Sequence, residues 1–296
     1  MQLGPLGLAP LPHSASLRAS YCNPAALRYC RSTKRSGLRQ AGNRLYKRQR
    51  DKKKWFTMCA YFEELDYRPT RLGPLSLRRR RLLSPGPDIY EIKLGEEFLM
   101  SSLFTVSEVA LARLGLAELS ETNVDVVVGG LGLGCTARAV LDNAHVLSLV
   151  VIEALPEVIE WHRAGLLPLG AELTADCRCR LVHGDFFAMA ASTMPGLDPE
   201  RPSRLFHAIL VDIDHSPRHV LHPSHAELYQ ADGLRCLSNH LHPNGVFALW
   251  SNDPPDEQFT ARLAEVFATS KAEVVSFHNP LQDRDATATI YVARTA

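Results

Sequence analysis

Residues 209–219, ILVDIDHSPRH, pass from an apolar run into two carboxylates, a histidine, a serine and a proline within six positions. Those residue types suit a metal site, a base at the end of a strand, or a solvated turn. His215, His219, His222 and His225, with His240 and His242 further on, give the metal reading its ligand types. No HExxH or CxxC set accompanies them, and Pro217 and Pro223 interrupt the spacing that would make their rings converge. No metal is expected. Asp212, straight after a buried strand, is placed to face the reactive end of a ligand, with Asp214 two residues on.

Three other segments carry chemistry at the ends of apolar runs. In VVVGGLGLGCTARAVL, Gly130, Gly132 and Gly134 follow one such run and open a helix. Glycines there let a backbone approach a ligand closely and aim free N–H groups at it. Glu153 ends LSLVVIE, 19 positions after Gly134, where an acid can accept both ribose hydroxyls of an adenosine. Asp185, in CRLVHGDFF, can accept an adenine amino group with Phe186 or Phe187 covering the ring. It is equally suited to capping the helix that follows.

The elements that must hold these residues alternate. Apolar runs at 124–129, 147–153, 179–183, 206–213, 245–250, 272–278 and 288–293 predict strands. Helical spacing is read at 135–142, 156–164, 185–191, 224–240 and 256–268, and earlier in VSEVALARLGLAEL. Val-, Ile- and Leu-rich strands separated by helices predict a parallel sheet covered on both faces. The last two strands have no helix between them and should pair antiparallel. Upstream, GPLSLRRRRLL and DIYEIKLGEEFL flank SPGP and predict a small β-hairpin. Its run Arg78–Arg81 is either an anion site or, more commonly, one solvated strand face. The fold class is therefore α/β: a Rossmann-like, seven-stranded, methyltransferase-type sheet with an antiparallel C-terminal hairpin. Ligands of such sheets bind beyond the carboxyl ends of the strands, at the switch point, where Asp212 lies.

Charge divides the chain. Residues 1–57 carry 13 Lys and Arg against the single acid Asp51, so a net charge of +1 separates into an arm of +12 and a body of −11. The arm lacks apolar periodicity and is expected to be disordered. An Arg-rich transit peptide and a nucleic-acid arm are two readings of it; the change of composition at Met58 favours a third, translation starting there. The expected division is 1–57 as arm, 58–104 as hairpin segment and 105–296 as the sheet domain. Seven cysteines without a paired framework point to a reducing, cytoplasmic setting, and no run of 18 apolar residues suggests a membrane span. Neither a membrane nor a nucleic-acid partner is expected.

From about Tyr67 onward the chain resembles the spermidine synthase (polyamine aminopropyltransferase) family of class I S-adenosylmethionine-dependent transferases. The resemblance rests on IKLGEEFLM, GGLGLGCTARAVL, Glu153, DCRCRLVHGD, ILVDIDHSP and ELYQADGLRCLSNHLHPNGVF. It implies aminopropyl transfer from decarboxylated S-adenosylmethionine to a polyamine-type amine, with Asp212 as base and Asp214 beside it. Gly130, Gly132, Gly134, Glu153, Asp185 and Phe186 would hold the nucleoside; Glu97, His215, Tyr229 and Trp250 would line the acceptor side. It also implies a homodimer. Leu133, or Gly132 on another alignment, stands where the family loop has an acid, His215 where it has a second polyamine-binding acid unless Asp214 covers for it, Met100 and Ser102 where it has a tyrosine and a glutamate, and Trp250 where it has a glutamine. Methyl transfer from S-adenosylmethionine to a small nucleophile is the alternative, and a non-catalytic nucleoside-binding module a third reading.

Overall fold

Strand β5 (Val124–Gly129) explains the architecture in miniature. Val126, Val127 and Val128 are all fully buried, which requires cover on both faces of the sheet because successive side chains point to opposite sides. The computed structural model describes residues 62–81 and 86–296. The expectations for residues 1–57 and for the SPGP turn at Ser84 and Pro85 lie outside the described residues.

The large sheet has the order β10-β11-β9-β8-β5-β6-β7. Its strands are β5, β6 (Val146–Glu153), β7 (Cys179–His183), β8 (Phe206–Val211), β9 (Leu241–Ser251), β10 (Thr269–Asn279) and β11 (Arg284–Arg294). β5 to β9 run parallel, β11 returns antiparallel along β9, and β10 pairs antiparallel with β11, as the missing connecting helix required.

Two apolar clusters sandwich the sheet. Val126, Val128, Val151, Leu210 and Ala248 join one, against α1 (Val106–Ala117), α2 (Cys135–Leu141) and α3 (Pro156–Arg163). Val127, Ile152, Ile209, Val211 and Phe247 join the other, against α5 (Phe186–Ala190), α6 (Ala231–Ser238) and α7 (Glu257–Val266). Each fully buried Val, Leu or Phe contributes roughly 1.5–3 kcal/mol, so this double cover dominates stability. A short helix α4 (Gly170–Ala175), which the periodicity does not predict, precedes β7.

The expected hairpin is the middle of a second sheet. Strands β1 (Phe62–Thr70), β2 (Gly73–Arg81), β3 (Asp88–Leu94) and β4 (Glu97–Ser101) form an antiparallel meander. DIYEIKLGEEFL is thus two strands, divided at Gly95, whose φ of 59° makes the turn. Leu75, Leu77 and Ile92 dock this sheet onto the first cluster. The arginine run is a paired strand face: Arg79 meets Glu63 at 2.5 Å, Arg80 Glu91 at 2.6 Å, Arg81 Asp88 at 2.7 Å and Arg78 Glu64 at 3.8 Å. With carboxylates on the neighbouring strands, these guanidiniums are not a free anion site.

One predicted helix divides. Residues 224–240 form a 3-10 turn (Pro223–Glu227) and then α6, because His225 and Tyr229 are drawn inward to Asp214.

Candidate active site

Sheet register brings the candidate residues to one edge. Gly129 lies level with Ile152 on β6 and with Val211 on β8, and Val211 is level with Leu249 on β9. Gly130, Glu153, Asp212 and Trp250 therefore form the next row, at the carboxyl ends of four adjacent strands. Glu153 and Asp212 flank Gly130, roughly 10 Å apart at normal strand spacing. The backbone continues the ladder here: Gly130 N–H donates to the Ile152 carbonyl at 2.9 Å and Asp212 N–H to the Gly129 carbonyl at 2.8 Å. Asp212 is thus the first residue past β8, where the sequence reading had continued the strand to residue 213.

The glycine loop is shaped by what approaches it. At Gly130 (φ 93°) a Cβ would fall 2.2 Å from the Asp212 carbonyl oxygen, and at Gly132 (φ 45°) 2.2 Å from the Met100 sulfur. Glu153 is buried beneath the loop. Its Oε2 accepts from Leu131 N–H at 3.0 Å and its Oε1 from Leu155 N–H at 2.9 Å. Burial pushes its pKa up, opposed by N–H donation from Leu155, Leu131, Gly132 and Ala154. His162, fully buried, supports the loop from behind, with Nε2 2.9 Å from the Gly132 carbonyl. Asp185 caps α5 by accepting from Phe187 and Ala188 N–H, so the capping expectation holds, while the carboxylate stays on the exposed side of the strand end.

Asp212 does not stand alone. Its Oδ2 accepts from the Thr136 hydroxyl, at the start of α2, at 2.6 Å. Burial raises its pKa to about 6, against the lowering effect of that hydrogen bond. Glu108, in the first turn of α1, is buried and is raised to about 7, first by burial and then by the charge of Asp212, while the Ser107 hydroxyl donates to it at 2.8 Å. Two carboxylates that interact cannot both ionise freely. Both carboxyls are therefore held more protonated toward neutrality than free ones. The same desolvation, with both acids adding to it, pushes the neighbouring Cys135 thiol up to about 12, so it stays a thiol.

Glu108 was missed by sequence reasoning, yet a signal was present. Glu108, Leu111, Ala112, Gly115 and Leu116 lie at i, i+3, i+4, i+7 and i+8, and all are buried. An acid on the apolar stripe of a helix is expensive unless it has a role.

Three expectations need correction. Asp214, expected at the reacting centre, is buried with both oxygens occupied: Oδ1 accepts from Leu221 N–H at 2.7 Å and from His225 Nδ1 at 2.8 Å, and Oδ2 from the Tyr229 hydroxyl at 2.8 Å. It fastens the turn after β8. Tyr229, expected on the acceptor side, is fully buried, and its hydroxyl is held well above its ordinary pKa by burial and by Asp214. Phe186 is turned into the core beneath the row, its ring 2.8–3.0 Å from where a Cβ on Gly129 would lie.

His215 and Glu97, by contrast, come together. The His215 Nε2 lies 3.6 Å from Glu97 Oε2, on the outer side of the same turn, and the His215 carbonyl accepts from Asn252 N–H at 2.7 Å beyond β9. Trp250 is half-buried against the first cluster, and its indole N–H is buried without an acceptor. Among the described residues no three His, Cys, Asp or Glu side chains gather as a metal site. His225 instead stacks on Phe187 at 3.7 Å, and His219 pairs with Asp253 at 2.9 Å.

No known family model matches the chain. Solved structures do. Spermidine synthase from Thermotoga maritima is 15% identical with a TM-score of 0.59, the match covering 79% of this chain and 72% of that one. A spermidine synthase in complex with the transition-state analogue AdoDATO gives the same values. A probable spermidine synthase from Corynebacterium glutamicum is 14% identical, with a TM-score of 0.52 and coverage of 77% and 79%. The fold is that of the spermidine synthases.

The row of strand ends gathers a glycine loop, a strand-end glutamate and Asp212 at one edge of the sheet. Alanine at residue 130 or 132 would collide with the Asp212 carbonyl or the Met100 sulfur, and Glu153 is anchored by the Leu131 and Leu155 N–H groups. In the spermidine synthase fold the small sheet adds to this edge: β4 carries Glu97 to His215 and Met100 to the glycine loop.

Proposed function

We propose that this chain is a spermidine synthase-like aminopropyltransferase that uses decarboxylated S-adenosylmethionine and a polyamine-type amine, with Asp212 as the base. The observation that carries the reading is Asp212 at the switch point, held by the Thr136 hydroxyl in one row with Gly130 of the glycine loop and the strand-end Glu153. Gly130, Gly132, Gly134, Glu153 and Asp185 would hold the donor. When bound, that donor supplies an electrophilic carbon beside a sulfonium.

The residues supply the rest. A primary amine has a pKa of about 10.4 and arrives as a cation. A negative Asp212, held in place by Thr136, attracts that cation and takes one proton from it, which frees the nitrogen lone pair to attack the carbon; the new C–N bond leaves the nitrogen a secondary ammonium. The electron pair of the breaking C–S bond leaves with sulfur, giving a neutral thioether. Glu108, whose carboxyl feels the charge of Asp212, would tune the basicity of Asp212. Glu97 and His215 would border the amine's far end.

The test is amine-dependent release of methylthioadenosine from the decarboxylated donor with putrescine as acceptor. Asp212→Asn should lower turnover by about 10²–10⁴-fold, the usual worth of a positioned base, with the donor Kd from calorimetry changed less than about threefold. Full activity of Asp212→Asn would mean another group is the base. Methyl transfer from S-adenosylmethionine without methylthioadenosine release would favour the alternative chemistry, and donor binding without turnover by any amine would favour a nucleoside-binding module.

A further inference from the structure

The glycine loop closes as a β-turn over residues 131–134, with Gly134 N–H donating to the Leu131 carbonyl at 2.7 Å. Its central peptide joins Gly132 to Leu133, and Gly132, at a φ of 45°, has no side chain to decide which way that peptide faces. A contact from α3 decides it. The Gly132 carbonyl lies 2.9 Å from Nε2 of His162, in the last turn of that helix.

The His162 ring is closed in on several sides. It is fully buried, a Cβ at Gly134 would fall 3.0 Å from its Cε1, and a Cβ at Gly170 would fall 2.5 Å from its carbonyl oxygen. Trp161 before it is buried too and donates its indole N–H to Asp66 at 2.7 Å, which anchors the end of α3 to β1.

The partner of Nε2 fixes the chemistry of the ring. A carbonyl can only accept, so the proton of the neutral imidazole sits on Nε2, and Nδ1 keeps its lone pair. Nδ1 is buried with no hydrogen-bond partner. Burial also holds the pKa of the ring below its ordinary value, so the neutral form persists. A buried nitrogen without a partner is costly, and an apolar side chain would fill the same place without that cost. What the imidazole adds is one N–H, aimed at the loop. It draws the Gly132 oxygen into the interior, and in a trans peptide the N–H then points the opposite way.

We propose that His162 is a positioning residue for donor binding: by holding the Gly132 carbonyl, it sets the orientation of the Gly132–Leu133 peptide in the loop that receives the donor. The inference rests on the reading of this loop as the donor site given above.

Calorimetry of decarboxylated S-adenosylmethionine on the full chain, with turnover of the same variants, tests it. His162→Phe fills the space but has no N–H; its donor Kd should rise about fivefold, the worth of one hydrogen bond, and donor KM should rise with it while kcat at saturating donor changes less than about twofold. His162→Gln puts an amide N–H within reach of the same carbonyl and should bring Kd back to within about twofold of wild type. A His162→Phe variant that binds the donor as wild type does, or a His162→Gln variant as weak as His162→Phe, overturns the positioning role and leaves the donor site standing. Failure of wild type to bind either S-adenosylmethionine or its decarboxylated form overturns the donor reading itself.

Wild type gives an answer that needs no variant. With the histidines labelled at ring nitrogen, His162 should be the neutral tautomer protonated at Nε2. Exchange of that proton with solvent should slow by about tenfold when the decarboxylated donor saturates the site, because binding stabilises the closed loop. The other tautomer, or exchange indifferent to the donor, overturns the proposal.

Discussion

The row of strand ends and the turn that follows β8 each hold an aspartate, two residues apart in the chain, the first half-buried and the second buried, and treat it in opposite ways. Asp212, in the row, receives the Thr136 hydroxyl and is raised to about 6. Asp214, in the turn, receives Leu221 N–H and His225 on one oxygen and the Tyr229 hydroxyl on the other, so both oxygens are engaged by the protein. The difference lies in the supply of donors. A carboxylate with one donor in a dry site is left reactive; one with three donors is a fastening.

Breaking the fastening should have the largest effect. Asp214→Ala leaves a backbone N–H, an imidazole N–H and a phenol without an acceptor, and should destabilise the fold by roughly 3–5 kcal/mol. Asp214→Asn keeps the shape and part of the acceptance, so it should recover about half of that loss. Denaturant titrations of the two variants measure both numbers. Near-equal stability of Asp214→Ala and wild type would turn the comparison around, making Asp214 the free group.

A second prediction probes the row rather than the turn. Gly130→Ala puts a methyl 2.2 Å from the Asp212 carbonyl, at a φ of 93° that side chains rarely adopt. Backbone has to move on both β5 and β8, at a cost of roughly 2–3 kcal/mol. Donor affinity should fall together with the melting temperature, because the same peptide shapes the loop. A variant that melts lower yet binds the donor as before would separate the loop from the site.

The contrast also explains what could be read from sequence. Strand ends were legible because apolar runs stop where burial stops, and register then aligns Gly130, Glu153 and Asp212 without further information. The partners of Asp214 lie 7, 11 and 15 residues along the chain, the last two within the stretch whose spacing predicts one helix; only the folded turn shows that they converge. Met100 meets Leu133 across 33 residues and between two sheets, a contact that no local pattern encodes. The meander was half legible. Its central strands have the alternation and turn residues expected of a hairpin, whereas β1, mostly exposed and rich in Glu, Asp and Arg, has little apolar signal to read.

Glu108 is where the comparison can be sharpened by the smallest change. Its pKa and that of Asp212 are both higher in the folded chain than in the unfolded one, to about 7 and about 6 from ordinary values of 4.5 and 3.8. Below about pH 4 both states are protonated and the pair costs nothing. As pH rises from there toward 7, the unfolded chain releases its protons while the folded chain retains them, so the pair's contribution to stability falls, and above about 7 the full penalty remains. Glu108→Gln removes one of the two ionisations without changing the shape. It should be more stable than wild type by roughly 1–3 kcal/mol at pH 8, one pKa unit being worth about 1.4 kcal/mol, with the gap closing near pH 5. Activity should move in the other direction. Wild-type turnover should rise as pH passes through about 6 to 7 and the pair gives up its protons; the variant should lose the upper of those two inflections and several-fold in rate. Equal melting temperatures at pH 8 would show that Glu108 is not the strained member of the pair, and Asp212 would then have to carry both the charge and the chemistry alone.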